Sequence, residues 1–362
     1  MNIIQNSEIS ITPEQWVELN QNHDKEYIKE MISDAIDQLP MPMRTITKEE
    51  AMDAFQSLKD LDEQSLFIDT PFFSRYDYKY DSTDTIIKSS SVGNKASDYF
   101  HQENRWKCDS INAPSPYRSW YIKKFRMTML NALWSLKVTK VDTKTLRSCI
   151  ALRKYIASQF RPSAAKAVYN KFESVNVLDF SSGWGDRLAG FCASNATSYT
   201  GIDPNQTLVQ GYKDQIKMYG GNKTIDMNVG KAQEFPDTGN TYDTIFTSPP
   251  YYNIERYTQE EDQSFKEFRK FDDWMNKFMF ATIDNMWDRL ETSGHLILNI
   301  SDVYSNHTIN QICDRMNDKI QQKTGATYVG CIGYEMRKRP NSGALKDKVG
   351  SFAEPTWIWK KN

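Results

Sequence analysis

From residue 175 to the end, short β-branched runs that finish on Gly or Asp alternate with stretches of helical spacing: 175–180, 198–203, 224–230, 241–248, 294–301, 327–336 and 355–361. A helix between two strands returns the chain to the edge where the first strand began. Successive strands therefore run parallel and both faces of the sheet are covered. The pattern predicts an α/β domain built on a mostly parallel sheet. It starts late, which puts a boundary near residues 145–160 and divides the chain into 1–150 and 151–362.

The first region reads as mainly helical. Thr12-Pro13-Glu14-Gln15 sets a hydroxyl at N-cap, Pro at N1 and Gln at N3 ahead of Trp16, Leu19, Tyr27, Met31 and Ile32. Thr47-Lys48-Glu49-Glu50 repeats the box ahead of Met52, Phe55, Leu58 and Leu61. Residues 66–118, rich in Tyr and Ser with little periodicity, read as long loops with short elements. Helical spacing returns at 120–136 and 143–158, where Arg147 and Lys154 are seven apart and share a face. On the helix expected at 271–291, Trp274, Met275, Phe278, Met279, Ile283, Met286 and Trp287 form a core stripe.

A net charge of −2 conceals an uneven distribution: residues 1–100 hold 9 basic and 19 acidic residues, whereas 101–170 hold 14 basic and 3 acidic. Such a block is either a solvated helix surface or the footprint of a polyanionic partner. With 39% hydrophobic and 25% charged residues the chain is not disordered. No apolar run of about 18 residues is present, and Met1 to Gln15 lacks the basic start and apolar core of a signal peptide, so a cytoplasmic protein is expected. Cys108, Cys149, Cys192, Cys313 and Cys331 form no CxxC pair and read as reduced core thiols. His295 and His307 have no metal-spaced partner, and no metal is expected.

Two strand ends carry the chemistry. In Val177-Leu178-Asp179-Phe180-Ser181-Ser182-Gly183-Trp184-Gly185-Asp186-Arg187 a buried strand ends on an acid and enters a turn whose glycines let a ligand approach the backbone. Asp203 ends the next strand, where a carboxylate can accept from both hydroxyls of a ribose. There is no GxGxxG and no Walker lysine, so a nucleoside without a large phosphate cradle fits. In Tyr242-Asp243-Thr244-Ile245-Phe246-Thr247-Ser248-Pro249-Pro250-Tyr251, the paired prolines fix the backbone and present the Ser248 side chain and the Pro249 carbonyl as rigid acceptors. Two fixed acceptors beside an aromatic face suit an NH2 group on a flat ring.

In order and spacing, residues 155–362 resemble the S-adenosylmethionine-dependent amino-methyltransferases of DNA, whose signature is Asp, Asn or Ser followed by Pro-Pro and an aromatic. The resemblance implies a Rossmann-like class I methyltransferase fold with a mostly parallel seven-stranded sheet. It also implies S-adenosyl-L-methionine as cofactor, and transfer of a methyl group to adenine N6 or cytosine N4 of a base flipped out of double-stranded DNA, with Ser248 leaning toward cytosine. By this match Phe160 and Pro162 lie at the methionine end of the cofactor, Asp179, Gly183 and Gly185 form the cofactor loop, and Asp203 is the ribose acid. Ser248, Pro249, Pro250 and Tyr251 are the catalytic tetrapeptide. Where many members carry an Asp after the third strand this chain has Gly230-Lys231-Ala232-Gln233, which assigns the adenine contact to Gln233 or a backbone amide.

The mechanism so implied needs no covalent intermediate. The acceptors draw the amino protons, and the target base stacks on Tyr251. Phosphate contacts are expected from Arg147, Lys154, Arg337, Lys338 and Arg339. Residues 252–262 read as a mobile lid in which Tyr257 either wedges into or caps the target base or, as is commoner for such a tyrosine, only packs, and target recognition is assigned mostly to the N-terminal region. RNA or a protein glutamine as substrate, and a non-catalytic nucleic-acid-binding subunit of the same fold, are the alternatives. Monomer and homodimer stay open, as does a restriction partner.

Overall fold

The computed structural model describes residues 3–111, 113–153, 156–257, 263–305, 307–336 and 350–362. They form two units: Met1–Thr45, Glu103–Ser158 and Glu255–Thr258 in one, and Ile46–Gln102, Gln159–Ile254 and Gln259–Asn362 in the other. The division differs from the one expected at residue 150. Residues 46–102 belong to the sheet-bearing unit, and residues 103–158 fold with the N-terminal helices. The strands that residues 46–102 contribute are only two or three residues long, too short to show a period.

The sheet-bearing unit is built on β1 (Asn176–Asp179), β2 (Ser198–Asp203), β3 (Thr224–Val229), β4 (Tyr242–Thr247), β5 (Leu290–Asn299), β6 (Ala326–Glu335) and β7 (Ser351–Lys361). Their spatial order is β3-β2-β1-β4-β5-β7-β6, and all are parallel except β7, which runs antiparallel to both neighbours. This is the Rossmann-like class I methyltransferase arrangement expected from the sequence. Residues 46–102 extend it. Thr85–Ile87 pairs parallel with β6, Phe67–Asp69 pairs antiparallel with Thr85–Ile87, and Phe72–Phe73 pairs with the start of β7. The stretch expected as loops also packs on the sheet, since Tyr78 and Tyr80 meet Trp357 and Trp359 edge-on at 5.1 and 5.8 Å.

Alternation along the central strands feeds two hydrophobic layers. Ile245, Leu296, Leu298, Trp357 and Trp359 face a layer with Trp274, Met275, Met279 and Met286, the stripe foreseen at 271–291. Phe246, Ile297 and Ile358 face the other, with Ala164, Ala165, Tyr169, Leu188 and Phe191. Each such side chain, fully buried, stabilises the fold by roughly 1.5–3 kcal/mol relative to exposure. Around the sheet lie α1 (Lys48–Asp60), α2 (Asn94–Lys107, with residues 94–102 in this unit), α3 (Pro162–Lys171), α4 (Asp186–Ala193), α5 (Val209–Tyr219) and α6 (Ala281–Arg289). Gly190 lets α4 lie close against α3, because a Cβ there would meet Ala165 Cβ at 2.6 Å and the Pro162 carbonyl at 2.7 Å.

In the other unit the Thr12 capping box starts Pro13–Asn22, and Asp24 caps a second helix, Lys25–Ile36. These pack with Pro116–Tyr121, Lys123–Leu130, Ala132–Ser135 and Thr143–Arg153 over a core that includes Ile28, Ile32, Trp120, Leu130 and Ile150. The charge asymmetry is partly absorbed here. Lys123 pairs with Glu30 and Asp34, buried Arg126 with Asp37, and Arg118 with Asp109. Lys124, Lys137, Lys144 and Arg147 make no ion pair among the described residues.

Candidate active site

Strand order reverses between β1 and β4, and ligands of open α/β sheets bind outside the carboxyl ends at such a point. β1 ends there on Asp179. Its carboxylate is fully buried and accepts from Arg187 Nε at 2.8 Å and Nη2 at 3.2 Å, Tyr199 Oη at 2.8 Å, Thr247 Oγ1 at 2.7 Å and the Ser181 amide at 3.3 Å. Arg187 also donates to the Ser181 carbonyl. Asp179, expected in the cofactor loop, thus has its carboxylate turned to the protein. Its oxygens are engaged beneath the loop and have no exposed surface, and the acid ties β1, β2, β4 and α4 together.

Gly183 and Gly185 adopt φ of +59° and +71°. A Cβ on Gly183 would face open space apart from the Ser181 carbonyl at 3.8 Å, which leaves room on that side for a ligand. The Gly183 amide donates to Asp203 Oδ2 at 2.8 Å, and the Asn205 amide donates to Oδ1 at 2.9 Å. Each carboxylate oxygen keeps a further lone pair, and the residue is partly exposed. Burial pushes the Asp203 carboxyl up to about 6 against the two amide hydrogen bonds, which favour its ionised form.

The back of the loop is held by groups that no sequence motif marks. Tyr212 Oη on α5 donates to the Gly183 carbonyl, and Gln215 Nε2 donates to the Gly185 carbonyl at 2.7 Å. His101 Nε2 lies 3.2 Å from Gln215 Oε1. Ser97 donates to Asp186 Oδ1, and Gln159 Nε2 reaches the same oxygen at 2.8 Å. His101 is buried, which pushes its imidazole down to about 4 and keeps it neutral, and its Nδ1 has no hydrogen-bond partner among the described residues.

At the end of β4, Pro249 is buried, and Ser248, Pro250 and Tyr251 are half-buried. Tyr251 Oη donates to the Asn299 carbonyl at the end of β5 at 3.3 Å. Burial first, then the Glu354 carboxylate, push its hydroxyl far up, while a hydrogen bond with the Ser248 side chain opposes them. Glu354, which sequence reasoning missed, reaches this edge because antiparallel β7 starts where the parallel strands end. Thr356, two residues further along β7, pairs with Asn299. Tyr252 closes the tetrapeptide with φ of +52°, a left-handed turn held by its hydroxyl on the Arg269 carbonyl at 2.6 Å and by packing on Trp274.

Phe160 stacks on Tyr334 at 5.2 Å, meets Phe246 edge-on and lies under the Arg187 guanidinium, while Pro162, buried, opens α3. Gln233 is half-buried in a turn whose Ala232 and Phe235 carbonyls accept from Asn285 Nδ2 at 3.0 Å. Tyr257 donates to Glu255 at 2.6 Å within the other unit. Arg147 lies on the helix Thr143–Arg153. Lys154, Arg337, Lys338, Arg339 and residues 258–262 lie outside the described residues. All five cysteines are buried and free, and no cluster of metal ligands occurs among the described residues.

No family model matches the chain, and no curated protein matches it. Among solved structures it is similar to TrmN from Thermus thermophilus, at 13% identity over 56% of this chain and 49% of that one with a TM-score of 0.37. It is also similar to the magnesium protoporphyrin IX methyltransferase ChlM from Synechocystis PCC 6803 with bound SAM, at 9% identity over 56% and 79% with a TM-score of 0.37. An rRNA methylase from Streptococcus thermophilus gives 11% identity over 57% and 99% with a TM-score of 0.36. The chain thus spans about half the length of the Thermus protein. These likenesses concern the path of the chain only.

Proposed function

We propose that the chain is an S-adenosylmethionine-dependent amino-methyltransferase acting on a base flipped out of double-stranded DNA. One observation carries the reading. Across a single strand-order reversal, the glycine loop with Asp203 stands beside the rigid Ser248-Pro249-Pro250-Tyr251 end of β4. Asp203 would accept the cofactor's ribose hydroxyls with its spare lone pairs, and the open face of Gly183 would admit the nucleoside. The bound cofactor supplies an electrophilic methyl group on sulfur.

The tetrapeptide does the rest. The target amino nitrogen is a poor nucleophile while its lone pair is delocalised into the ring. Hydrogen bonds from its two protons to Ser248 and the Pro249 carbonyl favour a pyramidal nitrogen. Holding that nitrogen in line with the methyl can supply up to ~7–11 kcal/mol of the barrier reduction. Flipping costs roughly a few kcal/mol, of which stacking on Tyr251 returns about 1–3 kcal/mol. Lys124, Lys137, Lys144 and Arg147 are the candidates for phosphate contacts, and with them we assign target recognition to the unit of residues 3–45 and 103–158. No helix among the described residues is long and apolar enough to cross a membrane.

Incubation of the full chain with methyl-labelled S-adenosylmethionine and separate pools of duplex DNA, RNA and protein tests the reading. Label in DNA, recovered as N6-methyladenosine or N4-methylcytidine deoxynucleosides, is the expected result, with N4-methylcytosine favoured by Ser248. Label confined to RNA or to protein contradicts it.

A further inference from the structure

Resting on that reading, we infer that His101 and Gln215 form a brace that holds the cofactor loop in its binding conformation, so that residues 94–102, outside the seven-stranded core, set cofactor affinity. Gln215 has no exposed surface. Its Nε2 donates to the Gly185 carbonyl at 2.7 Å, which fixes the amide and turns Oε1 toward His101. With an acceptor 3.2 Å away, His101 Nε2 carries the proton, so the ring and the amide orient each other and both act on Gly185.

Two glycine positions, Gly185 and Gly211, make room for the brace. A Cβ on Gly185 would collide with Gln215 Oε1 and stand 2.9 Å from His101 Nε2. A Cβ on Gly211 of α5 would collide with His101 Cε1 and stand 2.8 Å from Nδ1. Gly183, the other loop glycine, is gripped through its carbonyl by Tyr212, next along the same helix. A trans peptide sets its N–H opposite its C=O. Anchoring the carbonyls of Gly183 and Gly185 to α5 therefore turns the following amides, those of Trp184 and Asp186, away from α5.

One helical turn before His101, Ser97 donates to the Asp186 carboxylate, so the same face of α2 grips both sides of the turn at 185–186. Gln159 completes this second grip by donating to Asp186 at 2.8 Å and to Ser97 Oγ at 2.9 Å. His101 and Gln215 are positioning residues. They act on a ligand only through the loop backbone.

The test is calorimetric titration of the full chain with S-adenosylhomocysteine, together with the KM for S-adenosylmethionine and kcat, for wild type, His101→Ala, His101→Gln and Gln215→Met. His101→Ala and Gln215→Met should each weaken binding about tenfold, the effect of one buried hydrogen bond, with KM rising by a larger factor than kcat falls. His101→Gln returns a donor to the Nε2 position and should recover most of the affinity. Should His101→Ala fail to fold, Gln215→Met and His101→Gln carry the test. Wild-type affinity in Gln215→Met, or His101→Gln binding no tighter than His101→Ala, overturns the brace while the proposed function stands. A wild-type protein that binds no S-adenosylhomocysteine overturns both.

Discussion

The two halves of the sheet's carboxyl edge are built on opposite terms. At β1 and β2, charged groups are held from within: Asp179 is saturated by hydrogen bonds from Arg187, Tyr199, Thr247 and the Ser181 amide, and Asp203 is fixed by two amides with lone pairs to spare. At the end of β4 the residues of the tetrapeptide are uncharged, with Pro249 buried and the other three half-buried, and they owe their placement to prolines, a left-handed turn at Tyr252 and the hydrogen bonds of Tyr251 to the Asn299 carbonyl and with the Ser248 side chain. A cradle for a charged, flexible ligand has to be ordered before the ligand arrives, and a network of buried charges achieves that. A pocket for a flat neutral base needs fixed dipoles left unsatisfied, and backbone rigidity achieves that without charge.

Separate variants should break the two halves in separate ways. The largest effect is on stability. Asp179→Asn leaves the Arg187 guanidinium buried without its counter-charge, and the cost should be about 3–5 kcal/mol, read as a lowered urea midpoint. A midpoint equal to wild type would mean that the network is not what orders this end of the sheet.

Asp203→Ala should come next, weakening S-adenosylhomocysteine binding roughly 10- to 100-fold, the effect of losing hydrogen bonds to a charged acceptor. Its acidity gives a further signature. Because burial raises the folded carboxyl from the ordinary 3.8 to about 6, the protein's stability is greatest below the ordinary value on this account and is lost as pH rises through about 6. Ligand binding runs the other way, since ribose hydroxyls donate best to the ionised form. Affinity should fall as pH drops below about 6, and Asp203→Asn should flatten that dependence. An affinity that is flat with pH in wild type would remove Asp203 from the ribose contact.

How far the sequence reached depended on the range of the interactions involved. β1 to β4 were visible to within one residue at each end because β-branched alternation is local, and both Thr-led capping boxes formed as read. β5 begins at Leu290, four residues earlier than expected, since Glu291, Thr292 and Ser293 open the strand with polar side chains. Asp179 was visible as a strand-ending acid, but its burial under Arg187 depends on α4 and β4 together and leaves no local trace. His101, Gln215 and Glu354 were missed for the same reason: His101 meets Gln215 across 114 positions, and Glu354 reaches Tyr251 only through the reversed direction of β7. The acidic start and basic middle of the chain were legible as charge, but their mutual pairing at Arg126–Asp37 and Lys123–Glu30 was not.

The division of labour along the edge is tested most directly by measuring S-adenosylhomocysteine affinity and methyl transfer side by side in Asp203→Ala and Tyr251→Ala. Tyr251→Ala should bind the cofactor product within about twofold of wild type, since Tyr251 is proposed to contact the base and not the cofactor, while transfer falls roughly 10- to 100-fold, the stacking contribution of one base. Asp203→Ala should lose binding first and recover transfer as cofactor is raised. Tyr251→Ala losing binding while Asp203→Ala keeps it would contradict the account.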